Sequence, residues 1–139
     1  MTRTLQGIVE HGDARGRQLG FPTANLQTDR AAELDGVWAG FADVEGFGRY
    51  MATVSIGHRP TYYPDTAATL VEVHLLDFDA DIYGCRVAVE LTAFLRGQVR
   101  CANEQELVAL IAEDVRVRRR MASADTVTAL WPWMGQISL

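Results

Sequence analysis

Gly7-Ile8-Val9-Glu10-His11-Gly12-Asp13-Ala14-Arg15-Gly16-Arg17-Gln18-Leu19-Gly20-Phe21-Pro22-Thr23-Ala24-Asn25 carries more information than any other stretch of the chain. Gly12, Gly16 and Gly20 recur at a spacing of four, with Arg15 and Arg17 between them. Glycine admits positive φ and close approach of backbone to a ligand. Successive N–H groups in such a loop form a concavity suited to an anion, above all a phosphate, and the two arginines offer charged donors to the same oxygens. Pro22 follows, and proline biases the residue before it to extended backbone. On an extended chain residues i and i+2 share a face, so Thr23 and Asn25 present a hydroxyl and an amide carbonyl together. These are neutral oxygen donors of the kind a hard cation such as Mg²⁺ accepts beside phosphates and water. The constellation reads as a nucleotide–magnesium site. It is not a Walker loop, because no Gly-Lys-Ser/Thr occurs in the sequence.

Outward from this stretch, short segments rich in Val, Ile, Thr and aromatics predict strands at Leu5–Glu10, Val37–Val44, Tyr50–Ile56, Thr69–Leu76 and Val87–Phe94. Glu45-Gly46-Phe47-Gly48 reads as a hairpin turn. Strands so short and so evenly spaced argue for an antiparallel barrel or sandwich. One helix is expected at 104–121, since Leu107, Leu110, Ile111 and Val115 form a single apolar stripe. Asn103 with Glu106 makes a capping box at its start, and Arg118-Arg119-Arg120 suit a helix C-terminus through its dipole. In residues 122–139 one further helical turn is expected at Thr126–Leu130, followed by the aromatic end Trp131-Pro132-Trp133-Met134.

A length of 139 residues is that of one domain, able to bury a core without disulfides or metal. The net charge of −5 disfavours nucleic acid as a partner. Cys85 and Cys101 belong to no Cys-x-x-Cys pattern and read as free thiols in a reducing compartment. No apolar run resembles a signal peptide or reaches transmembrane length, so a cytoplasmic location is expected, with no membrane partner. His11, His58 and His74 fall at no zinc-ligand spacing. Asp77, Asp79 and Asp81 invite a calcium reading, but an EF-hand loop beginning at Asp77 needs glycine and glutamate where Ile82 and Ala88 stand. That acidic segment is a turn, with Asp81 and Gly84 serving the backbone.

The string Gly16-Arg17-Gln18-Leu19-Gly20-Phe21-Pro22-Thr23-Ala24-Asn25 resembles the riboflavin kinases. So do Gly36-Val37-Trp38, Val54-Ser55-Ile56-Gly57 with Arg59-Pro60-Thr61, Val71-Glu72-Val73-His74-Leu75-Leu76-Asp77, Asp81-Ile82-Tyr83-Gly84 and Leu95-Arg96, in the family's order over about residues 5 to 121. The resemblance implies a mainly β fold, a closed six-stranded antiparallel Greek-key barrel with a C-terminal helix packed on it. It implies ATP-dependent phosphorylation of the riboflavin 5′-hydroxyl to give FMN and ADP, with Mg²⁺; a monomer is expected. Glu72 matches the family's catalytic glutamate. In Val71-Glu72-Val73-His74 the valines occupy one face of the strand and Glu72 and His74 the other. Thr23 and Asn25 match the family's magnesium pair and Arg17 its Gly-Arg, while Gly12, Arg15, Gly16, Gly20 and Pro22 are expected in the ATP phosphate loop for the backbone and charge reasons given above.

The sequence departs from the family after Leu95-Arg96. Flavokinases commonly continue with a glutamate, a lysine and a phenylalanine; here Gly97-Gln98-Val99-Arg100-Cys101-Ala102 follows. In the family this region borders the flavin side of the site, so the departure bears on the acceptor more than on ATP. Trp131 and Trp133 are also foreign to the pattern; they could stack on an isoalloxazine ring or cover a barrel end. A kinase of the same machinery acting on another alcohol, a modified flavin or another metabolite, stays open beside riboflavin kinase. A non-catalytic flavin- or nucleotide-binding module is the third reading, and it leaves Glu72 without a purpose. No adenylyltransferase domain is visible, so conversion of FMN to FAD is not expected of this chain.

Overall fold

The computed structural model describes residues 3–10, 23–28, 32–59 and 68–137. Its six strands are β1 (Arg3–Glu10), β2 (Ala24–Gln27), β3 (Gly36–Val44), β4 (Gly48–Arg59), β5 (Ala68–Leu75) and β6 (Arg86–Arg96). They form a closed antiparallel barrel in the order β1-β2-β5-β4-β3-β6, and β6 pairs back to β1. Closure leaves no sheet edge to protect. Alternation along the strands decides what fills it. Val9, Leu26, Val54, Ile56, Val71, Val73, Val89 and Leu91 are buried in one apolar core.

Five of the six strands coincide with the apolar segments of the sequence. The sixth, β2, spans only four residues, Ala-Asn-Leu-Gln, too few to show an alternation. Its pairing with β1 and β5 makes it a strand. β3 and β4 meet in the expected hairpin: Val44 pairs with Gly48, and the Phe47 N–H donates to the Val44 carbonyl at 2.9 Å. In the acidic turn the Tyr83 N–H donates to Asp81 Oδ1 at 3.0 Å, and Gly84 takes φ +81°, as read from the sequence.

β3 changes register against β6 between Ala39 and Gly40. There the two backbones come so close that a Cβ on Gly40 would strike the Glu90 carbonyl oxygen. Absence of a side chain is therefore a condition of closing the barrel at this point.

The helix α1 (Glu104–Ile137) begins at the predicted cap. The Glu106 N–H donates to Asn103 Oδ1 at 2.9 Å, and the Glu106 carboxylate accepts from the Ala102 N–H at 2.8 Å. It does not end at the arginines. Residues 122–131 contain neither glycine nor proline, and the helix runs on to Ile137. Arg118–Arg120 therefore lie within it, and the helix-terminus reading of this cluster is overturned. Two of the three arginines instead work sideways. Arg118, fully buried, donates through Nε to the Gly40 carbonyl at 3.1 Å and lies over the Phe41 ring. Arg119 holds both Asp77 oxygens at 2.8 and 2.9 Å. Those hydrogen bonds keep the Asp77 carboxyl below its ordinary pKa. The pair is exposed to solvent, so it contributes little stability. No described helix is long and apolar enough to cross a membrane. Cys85 and Cys101 are free thiols.

Candidate functional site

β5 delivers the site's central carboxylate. Val71 and Val73 sink into the core with almost no exposure, so Glu72 and His74 must point out of the barrel. Directly opposite Glu72 stand Asn25 on β2 and Ser55 on β4. Facing residues of antiparallel strands share a face and lie within side-chain reach. In the next row Thr53 stands opposite His74. Thr23, one residue before β2, donates its Oγ1–H to Glu72 Oε2 at 3.4 Å. Three residues singled out from the sequence, Thr23, Asn25 and Glu72, are thus brought to one place by the pairing of β2 with β5. Asn25 is buried, which limits the rotamers its amide can take.

This outer face is the floor of a cavity of about 510 Å³ whose opposite wall is α1. Val37, Thr53, Ser55, Glu72 and His74 line it from the barrel; Leu107, Leu110 and Ile111 line it from the helix. The connection from β6 to α1 forms the rim through Gln98, Val99, Cys101 and Ala102. Gln98 ties that rim to β4, its Nε2 donating to Ser55 Oγ at 3.0 Å and to the Ile56 carbonyl at 2.9 Å. The segment in which the sequence departs from the resembled family therefore lines the same cavity as Glu72.

The barrel wall carries hydroxyls, a carboxylate and an imidazole, and the helical wall sets Leu107, Leu110 and Ile111 between the carboxylates of Glu104 and Asp114. Such a cavity suits a ligand with an apolar body and a polyhydroxylated side. The oxygen donors Thr23 and Asn25 are of the hard type that fits Mg²⁺ rather than a softer metal. No cluster of three or more His, Cys, Asp or Glu suited to a metal occurs among the described residues. Gly12, Arg15, Gly16, Arg17, Gly20 and Pro22 lie outside the described residues, as do the side chains of Trp131 and Trp133.

Sequence reasoning passed over Ser55, Asp114 and the partnership of Arg96 with Asp114. Asp114 is buried and takes a two-pronged contact from Arg96, Nε to Oδ1 at 2.9 Å and Nη2 to Oδ2 at 2.7 Å. A signal was present. Asp114 and Arg118 fall three and seven residues after Ile111, on the apolar stripe of α1, where charged residues are out of place unless each has a partner.

Comparison with known proteins places these observations in a family. The model of the riboflavin kinase (flavokinase) family matches residues 2–122. The bifunctional riboflavin kinase/FMN adenylyltransferase of Pseudomonas fluorescens is 40% identical over 120 residues, covering 86% of this chain and 38% of that protein. Among solved structures, a riboflavin kinase from Trypanosoma brucei superimposes with a TM-score of 0.69 at 29% identity, covering 92% of this chain and 84% of the other. A macrolide-efflux protein from Streptococcus pneumoniae does so with a TM-score of 0.74 at 33% identity, covering 84% of this chain and 38% of that one. The chain spans little more than a third of the length of the bifunctional relatives it matches.

Proposed function

The chain belongs to the riboflavin kinase family, phosphotransferases with an alcohol acceptor, and from that premise we propose that it transfers the γ-phosphoryl group of ATP to the 5′-hydroxyl of riboflavin, giving FMN and ADP. The observation that carries the reading is the convergence of Thr23 and Asn25 on Glu72 in the floor of a cavity of about 510 Å³. Glu72 acts as general base. It accepts a hydrogen bond from the acceptor hydroxyl, orients it, and takes its proton late, because the transition state of phosphoryl transfer is loose and demands little of the nucleophile early. Thr23 Oγ1 and Asn25 Oδ1 would hold Mg²⁺ beside the phosphates. When bound, the ion offsets the charge of the transferring group. Gly12, Arg15, Gly16, Arg17, Gly20 and Pro22 form the phosphate loop in this proposal, offering backbone N–H groups and two guanidinium groups to ATP. The adenylyl transfer named for the bifunctional relatives is no part of it.

Incubating the purified protein with Mg²⁺, ATP and riboflavin, and following FMN by mass, tests the reading. FMN formed at a useful rate upholds it. ATP bound but no FMN formed would turn it toward a different acceptor alcohol. That alternative has its own observation, since Gln98, Val99, Cys101 and Ala102 line the cavity in the departing segment.

The metal assignment has a separate test. Thr23→Ala and Asn25→Ala are each expected to weaken magnesium-dependent ATP binding by at least about tenfold, because even groups that only orient metal ligands are worth 10–100-fold in metal affinity. Calorimetric titration of ATP with and without Mg²⁺ measures this. An unchanged magnesium dependence in both variants would remove the pair from the metal site.

A further inference from the structure

Among the described side chains of α1, only Asp114 and Arg118 are buried. Leu107, Leu110 and Ile111, which form the helical wall of the cavity, are only half-buried. The helix is thus fixed to the barrel at polar points. Arg96 on β6 grips Asp114 with two hydrogen bonds of 2.9 and 2.7 Å, and Arg118 donates to the Gly40 carbonyl one turn further on. A bidentate guanidinium–carboxylate pair fixes both separation and angle. Apolar contact is non-directional and permits sliding. Arg96 and Asp114 both line the cavity, while Glu72 lies in its floor.

We propose that Arg96 and Asp114 are positioning residues for the acceptor: their paired contact sets the distance between the helical wall and Glu72, and so the width into which the acceptor alcohol must fit. The inference rests on the reading of this cavity as the acceptor site. Loss of the pair frees the Leu107–Ile111 wall without touching the Thr23–Asn25–Glu72 group. The acceptor then suffers and ATP does not.

The test uses the full chain carrying Asp114→Ala, with Asp114→Asn as the milder form and Asp114→Glu as the rescue that keeps a two-oxygen acceptor. In Asp114→Ala the KM for riboflavin should rise about tenfold or more, the scale expected from losing a charge-assisted contact and loosening a bound geometry. The KM for ATP and the kcat at saturating flavin should stay within about twofold. Asp114→Glu should recover most of the loss. Amide hydrogen exchange should accelerate in 104–121 and not in the barrel strands. An unmoved riboflavin KM in a folded variant overturns the proposal. So does an equal rise in both KM values with a lowered Tm, the mark of a purely structural pair. If Asp114→Ala does not fold, the same comparisons are made on Asp114→Asn. If the wild-type chain does not phosphorylate riboflavin, the function reading fails by itself. The exchange pattern then decides the anchoring: acceleration confined to 104–121 upholds it, and uniform exchange overturns it.

Discussion

Replacing Glu72 with glutamine is expected to lower kcat by about a hundredfold or more, the usual scale of general acid–base catalysis. Glutamine matches glutamate in size, and its amide oxygen can still accept the Thr23 hydroxyl that now lies 3.4 Å from Glu72 Oε2. The flanking Val71 and Val73 stay in the core, so the strand keeps its register against Asn25 and Ser55. What disappears is the group that receives the proton in the proposed scheme. Because proton removal is late in a loose transition state, the loss should lie toward the low end of the range for general bases. ATP affinity should be unchanged, since no charge that faces the phosphates in this scheme has been removed. Steady-state kinetics with riboflavin, set beside calorimetric ATP binding, separates the two. Normal turnover in Glu72→Gln would show that the base assignment is wrong.

Gly40→Ala is expected to lower stability by about 1–3 kcal/mol, the cost of forcing atoms into a packed interior. For a domain of this size that corresponds to a fall in Tm of roughly 3–10 °C. The added methyl would meet the backbone oxygen of Glu90, which cannot turn away as the end of a flexible side chain could. Relief would require β3 and β6 to separate at the register shift between Ala39 and Gly40. The same carbonyl group of Gly40 accepts the Arg118 bond, so α1 would loosen with the strand. Gly97→Ala is the control, because a Cβ there meets nothing within 4 Å. Thermal unfolding of the two variants provides the measurement. Equal Tm values would mean that the Glu90 carbonyl yields without cost.

Features carried by a few neighbouring residues are legible in the chain read as a string of letters. The alternation of Val71 and Val73 with Glu72 and His74, the hairpin turn at 45–47, the Asp81 turn and the Asn103–Glu106 cap all stand where the sequence puts them. Each depends on periodicity or on a hydrogen bond between residues at most a few positions apart. The six-stranded closure rested on resemblance, since the five apolar segments alone left a sandwich open. The short β2 carries Asn25 and showed no pattern of its own, because its stability comes from β1 and β5 rather than from its residues. The arginine cluster misled for a related reason. Charge near an expected helix end suggests a dipole, whereas Arg118 in fact faces Phe41 and Gly40, more than seventy positions away.

The sequence by itself therefore determined that Glu72 and His74 share the face of their strand opposite Val71 and Val73, and the family to which the chain belongs. Only the tertiary structure decided that Thr23 meets Glu72 across 49 positions, that the departing segment 98–102 lines the cavity above that carboxylate, and that Arg96 and Asp114 hold the helix in place. The division follows the range of the forces. Backbone conformation and side-chain periodicity are settled by neighbours along the chain, while contacts between distant residues exist only once closure of the barrel has offset the entropy of bringing them together.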